Sequence, residues 1–134
     1  MSEEYAFSVR TRVAFSDTDA QGVVYYGRYN PYFDLARAEW LRSLGLLHRG
    51  NGGEEFVMRA NDVEYFAPAR FDDELEIHVR ARLGRTSMTF EFAAYGLPEE
   101  ELLVTAHQTL VLIDRATRRP VPIPADYRAP FGVD

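Results

Sequence analysis

The stretch Asp17–Gly45, "DTDAQGVVYYGRYNPYFDLARAEWLRSLG", changes character at Asn30. Before that point two aspartates, a glycine and a short apolar run follow one another without period. From Asn30 to Leu44 the pattern is helical, with Tyr29, Tyr32, Phe33, Ala36, Trp40 and Leu44 recurring at three- and four-residue spacing. Asn30 is a suitable N-cap, Pro31 suits the first helical position, Asp34 is expected in the first turn, and Gly45 suits the residue just past the end. Asp34, Arg37, Arg42 and Ser43 fall on the opposite, polar face.

Working outward, Phe7–Phe15 alternates as a first strand, imperfectly at Thr11 and Ala14. Beyond the loop "RGNGG", four more strands are expected. They are Glu55–Tyr65, then "DELEIHVRARL" with Leu75, Ile77, Val79, Ala81 and Leu83 on one side, then "SMTFEFAAYG" with Met88, Phe90, Phe92 and Ala94 on one side, and finally Leu102–Ile113. The last is apolar on both faces and is expected to be central or covered by a partner. The closing "RPVPIPADYRAPFGVD", proline-rich from about residue 118, is expected to run extended over the surface. The fold class is α+β: about five antiparallel strands with one long helix against the sheet, in a single domain over residues 1–134.

Composition narrows the function. The hydrophobic fraction of 46% and aromatic fraction of 13% fit a chain with a packed core. All 15 basic residues are arginine, so a lysine phosphate-binding loop, a Schiff-base amine and a lysine general base are excluded. A net charge of −6 argues against nucleic acid as partner. With no cysteine there is neither a disulfide nor thiolate chemistry. No apolar run reaches the ~18 residues of a membrane span, and "MSEEYAF" lacks the order of a signal peptide. A cytoplasmic location is the expectation.

The segment "DTDAQG" admits several readings. Asp17, Asp19, Gln21 and Gly22 match the opening of a calcium loop, but Arg28 stands where its closing glutamate belongs. An aspartyl-phosphate nucleophile would need a lysine that the chain lacks. A plain turn is open to Ser16, Asp17, Asp19 and Gly22. The remaining reading is a site: a carboxylate at the entrance to a helix whose first N–H groups are unpaired, beside the apolar "VVYYG". Those donors can stabilise an oxyanion on a thioester carbonyl while the carboxylate attacks it or activates water. A thiolate leaves with little help from a general acid. Tyr65 and Phe66 read as core or as pocket wall.

"DTDAQGVVYYGRYNPYFDLARAEWLRSLG" resembles the signature of the 4-hydroxybenzoyl-CoA thioesterase family of hotdog-fold proteins. That signature is a D-x-D-x-x-G segment with two hydrophobic residues, then an aromatic-rich helix ending on Leu-Gly. The likeness extends through "VEYFAPARFDDELEIHVRARLGRTSMTFEF" to "RPVPIP". It implies a sheet wrapped around the helix, subunits joined sheet edge to sheet edge as a dimer or tetramer, and sites at the subunit interface. It implies Asp19 as catalytic carboxylate and the backbone N–H of Tyr26, helped by Gly27, as oxyanion donor. Gly22, Val24, Tyr25, Tyr29, Phe66, Arg85 and Ser87 are the implied substrate contacts, Glu64 is the implied backup carboxylate, and Asp17 is assigned to the turn. The implied substrate is an acyl- or aroyl-CoA, with no metal or separate cofactor. Many bacterial relatives carry histidine at the position of Tyr26.

Other readings compete. A non-catalytic acyl-CoA or acyl-carrier-protein binding scaffold would suit the loss of that histidine. A hydratase or dehydratase would pair a histidine with an acid, and none occurs in Phe15–Tyr29. His48, His78 and His107 are too scattered for a zinc triad. His48 is expected at the end of the helix and His78 on the polar face of its strand. No GxSxG or GxGxxG segment is present. Arg80 and Arg82 either meet nucleotide phosphates or solvate a strand, and Arg85–Ser87 marks a strand-to-strand turn.

Overall fold

In a computed structural model that describes residues 5–50 and 52–133, five strands form one antiparallel sheet around a single long helix. The strands are β1 (Phe7–Arg12), β2 (Glu54–Tyr65), β3 (Glu74–Leu83), β4 (Ser87–Leu97) and β5 (Glu101–Asp114), in spatial order β1-β3-β4-β5-β2. The long helix α1 runs from Tyr29 to Ser43. This is the hotdog arrangement implied by the resemblance. Parts of the "MSEEYAF" opening and of the "RGNGG" loop lie outside the described residues.

Periodicity explains the packing. The helical stripe buries Tyr29, Tyr32, Phe33, Ala36 and Trp40 against the inward positions of β3 and β4, among them Leu75, Ile77, Val79, Phe90 and Phe92. Phe33 stacks on Phe92 at 5.0 Å between ring centroids, and Trp40 meets Phe90 edge-on at 6.3 Å. Full burial of one such side chain is worth roughly 1.5–3 kcal/mol. Arg37, placed by sequence on the polar face, instead folds over the sheet. Its guanidinium lies 5.2 Å from the Phe90 centroid and donates to Gln108 Oε1 at 2.6 Å. A long side chain can cover apolar surface while its head finds an acceptor.

The helix ends as expected. Gly45 adopts φ +75°, and the Leu46 N–H returns to the Leu41 carbonyl at 2.8 Å, which is a Schellman closure. Its start differs. A 3-10 turn, Tyr26–Arg28, feeds directly into α1, so Asn30 lies inside the helix and no side chain caps it. Pro31 still falls within the first turn, where its missing N–H has no intrahelical acceptor to lose. Asp34 lies beyond that turn and pairs with Arg37. His48 is exposed in the turn that follows the helix, not at its end.

Three other expectations need correction. β1 stops at Arg12, and Phe15 opens a second 3-10 turn (Phe15–Asp17) with its ring exposed and edge-on to Phe71. The tail is not merely extended: it forms the short helix α2 (Ala125–Arg128) and a final 3-10 turn. Ile123 and Tyr127 are buried, Tyr127 against Phe56 and Phe131 against Trp40. Third, the sheet face opposite α1 is not simply solvated. His78 is buried beside Tyr95 and bonds Glu76 at 3.0 Å. Arg80 and Arg82 both bind Glu91, at 2.6 and 3.1 Å, so both serve an ion-pair cluster with His107. β5 lies between β4 and β2, in the interior position expected of it.

Candidate active site

The segment after β1 forms a small hairpin. The Asp19 N–H donates to the Val23 carbonyl at 2.9 Å, and the Gly22 N–H returns to the Asp19 carbonyl at 3.0 Å. Aspartate at the first turn position and glycine at the fourth suit this geometry, and Gly22 takes φ +81°, which a side chain disfavours. Asp19 Oδ1 also accepts the Gln21 N–H at 2.8 Å. The turn reading is therefore right for Asp19, and it leaves Oδ2 without a partner among the described residues, in an exposed carboxylate.

The far arm of the hairpin docks on the β2–β3 connection: the Val24 N–H donates to the Ala69 carbonyl at 2.9 Å, and Val23 bridges Arg70. A cavity of about 540 Å³ lies between these segments. Its walls include Val24, Tyr26, Tyr29, Tyr65, Phe66 and Arg70. An adjoining cavity of about 380 Å³ shares Gln21, Val23, Val24 and Tyr26 with it and has Asp19 in its wall. Asp19 thus lines the smaller cavity beside an aromatic chamber, and Tyr26 lines both.

Tyr26 and Gly27 open the 3-10 turn, so their N–H groups have no intrahelical acceptor, and neither donates to any group among the described residues. The carbonyls on the same two peptide units are engaged. Tyr25 C=O accepts the Arg28 N–H at 2.8 Å, and Tyr26 C=O accepts the Tyr65 hydroxyl at 3.3 Å. A hydrogen bond accepted at the carbonyl polarises the peptide and strengthens its N–H as donor. Tyr65 packs on Tyr26 at 4.8 Å and on Tyr29 at 5.8 Å. Burial pushes the Tyr29 hydroxyl above its ordinary pKa; a backbone bond to Ala69 opposes the rise, and Tyr65, Asp73 and Tyr26 add to it.

Asp17 differs from Asp19 in every respect. It is buried, and its carboxylate accepts from Arg28 Nε at 3.1 Å and from the Tyr32 hydroxyl. Burial, then the bond to Asp17, raise the Tyr32 pKa far above the usual phenol value.

Of the implied site residues, Asp19, Val24, Tyr26, Tyr29 and Phe66 line one or both cavities. Gly22 shapes the turn, Gly27 adjoins Tyr26, and Tyr25 is exposed beside it at 6.4 Å between rings. Arg85 and Ser87 are not brought there. They lie at the β3–β4 hairpin, whereas the cavities lie near Tyr65 and Val104, which pairs with Ala94. At ~3.3 Å per residue along β4 the separation is roughly 20–25 Å. Glu64 lines neither cavity. Ala67, Pro68 and Arg70 line the larger cavity and were not anticipated. The visible signal was "YFAPAR", two aromatics with a strand-breaking proline two residues beyond.

Comparison with known proteins finds relatives over nearly the whole chain. The profile of the thioesterase-like superfamily matches residues 13–131. The acyl-CoA thioester hydrolase YbgC of Escherichia coli is 37% identical over 123 residues, covering 90% of this chain and 91% of that protein. A crystal structure of a hypothetical protein from Aquifex aeolicus superposes with TM-score 0.82 at 32% identity, covering 94% and 99% of the two chains. A 1,4-dihydroxy-2-naphthoyl-CoA thioesterase from Synechocystis shares the fold, with TM-score 0.86 at 22% identity and coverage of 93% and 94%. With the profile spanning nearly the whole chain and the D-x-D hairpin, aromatic helix and wrapped sheet all in place, the chain belongs to the thioesterase-like superfamily.

Proposed function

We propose that this protein is an acyl-CoA thioesterase that hydrolyses an acyl- or aroyl-CoA to the free acid and CoA. The observation that carries the reading is the shared groove: Asp19 and Tyr26 wall one cavity, which adjoins a chamber of about 540 Å³ faced by Tyr26, Tyr29, Tyr65 and Phe66. The likeness to the YbgC thioester hydrolase supports it.

In this reading the acyl group enters the aromatic chamber and its carbonyl oxygen faces the N–H of Tyr26, with Gly27 as second donor. Water adds to the carbonyl carbon and loses its proton to Asp19, or Asp19 itself adds and water opens the resulting anhydride. The C–S bond breaks as the tetrahedral intermediate collapses, and CoA leaves as thiolate. Donors fixed before the reaction stabilise the developing oxyanion without reorganisation. Among the described residues the walls of both cavities carry no histidine, which a hydratase usually pairs with an acid.

A homo-oligomer, dimeric or tetrameric, and a cytoplasmic location belong to the same proposal. β2 supports the first, being a 12-residue strand at the sheet edge with one side unpaired. Among the described residues no helix is long and apolar enough to cross a membrane.

Benzoyl-CoA, butyryl-CoA and palmitoyl-CoA, with release of free thiol as readout, test the function. Turnover of at least one is expected. Binding of the esters without thiol release would favour a non-catalytic carrier, the reading suggested by Tyr26 standing where many bacterial relatives carry histidine.

A further inference from the structure

Asp17 is more than a turn residue. The turn that it closes is held without its side chain, through the Asp17 N–H to the Ala14 carbonyl at 3.0 Å and the Thr18 N–H to the Phe15 carbonyl at 3.1 Å. Its remaining acceptors are all spent on the segment that carries the oxyanion donors. The Asp17 carbonyl takes the Tyr25 N–H at 3.0 Å, immediately before those donors. Oδ1 takes Arg28 Nε at 3.1 Å, immediately after them, and Oδ2 takes the Tyr32 hydroxyl one turn into α1. On its other side only Thr18 separates Asp17 from Asp19, and that link is stiff. Thr18 Oγ1 donates to the Phe15 carbonyl at 2.7 Å, and the Asp19 N–H is held by Val23.

A buried carboxylate carries a desolvation cost that an ion pair to a half-exposed arginine recovers poorly, so stability alone explains this arrangement badly. Geometry explains it better. We infer that Asp17, with Arg28 and Tyr32, is a positioning clamp that sets the distance between the Asp19 carboxylate and the N–H donors of Tyr26 and Gly27. The inference rests on the thioesterase reading. Asp17 touches no substrate and acts through Asp19 and the 26–27 peptides. A displacement of about 1 Å at such a site can cost on the order of 100-fold in rate.

The test is steady-state thiol release from whichever of benzoyl-, butyryl- and palmitoyl-CoA the wild type turns over fastest, alongside melting temperatures. The variants are Asp17→Asn, Arg28→Gln, Tyr32→Phe and the double variant Asp17→Asn/Arg28→Gln. The expected result is a fall of roughly 10- to 100-fold in kcat for Asp17→Asn, with KM held within about threefold and smaller falls for the other single variants. The double variant should be no slower than Asp17→Asn within about twofold, because both changes open the same clamp. Unchanged kcat, a rise in KM alone, or losses that multiply in the double variant would each overturn the inference. Should Asp17→Asn not fold, Arg28→Gln and Tyr32→Phe carry the test, since each keeps the other contacts. A wild type inactive on every ester removes the thioesterase reading and the clamp with it. An active wild type with unaffected variants removes the clamp alone.

Discussion

The Tyr65 hydroxyl donates to the Tyr26 carbonyl at 3.3 Å, tying the end of β2 to the peptide whose N–H belongs to Gly27. This bond joins two segments far apart in sequence where the aromatic chamber meets the donor turn. Tyr65→Phe keeps the ring, with its stacking on Tyr26 and Tyr29, and removes only the bond. A neutral hydrogen bond is worth about 0.5–1.5 kcal/mol net, so kcat should fall by roughly 2- to 10-fold. The melting temperature should fall by no more than a few degrees, because the bond is exposed. Kinetics and a thermal melt on the one variant check both halves.

Asp19→Asn should lose most of the activity, on the order of 100-fold or more if the carboxylate is the general base and further if it is the nucleophile. The fold should survive, because the asparagine carbonyl can accept the Gln21 N–H in the same turn. Thiol release is read against circular dichroism and the elution volume of the oligomer. Near-normal turnover would end the assignment of Asp19.

Phe33 is fully buried and stacks on Phe92 where α1 crosses the sheet. Phe33→Ala should destabilise the protein by about 3–5 kcal/mol, since the lost contacts leave a cavity that close-packed neighbours fill only in part. The urea midpoint should drop, with the slope of the transition unchanged. A loss below about 1 kcal/mol would mean that the helix packs on the sheet less tightly than the ring geometry indicates.

Why some of this was legible and some not follows from the range of the interactions. The stripe from Tyr29 to Trp40 and the alternation in β3 and β4 are local patterns, and the sheet and helix follow from them. The start of α1 was misplaced because Asn30 and Pro31 carry local capping chemistry. The real entry is a 3-10 turn tied back to Asp17 through Arg28, a bond between residues eleven apart in sequence. In the tail, prolines masked an alternation that sends Val121 and Ile123 inward and lets Tyr127 reach Phe56. The turn at Asp19 and the wall reading of Tyr65 and Phe66 come from local chemistry, whereas their approach to one another does not. Tyr65–Arg70 reaches the hairpin only because β2 ends opposite Val104, a consequence of strand register. Register likewise places Arg85 and Ser87 at the opposite end of the sheet.

The outer face of the sheet provides a pH test independent of the active site. Glu91 is buried there. Burial alone would raise its pKa, but the hydrogen bond and charge of Arg80, with those of Arg82, outweigh it and hold the carboxyl below the ordinary glutamate range. His107 Nε2 lies 3.2 Å from the same carboxylate, and Asp62 stands opposite His107 in the β2–β5 register. A group whose pKa is depressed on folding contributes stability that is fully present above its unfolded value, about 4.3, and is lost as pH falls through its folded value. Wild-type stability should therefore decline as pH drops below roughly 4, with Glu91 among the groups responsible. Glu91→Gln should be less stable than wild type at neutral pH, because Arg80 and Arg82 lose their charged partner, and the gap should narrow in acid. Urea midpoints for the two proteins across the acid range check this. A gap independent of pH would show that Glu91 acts there by shape and hydrogen bonding rather than by charge.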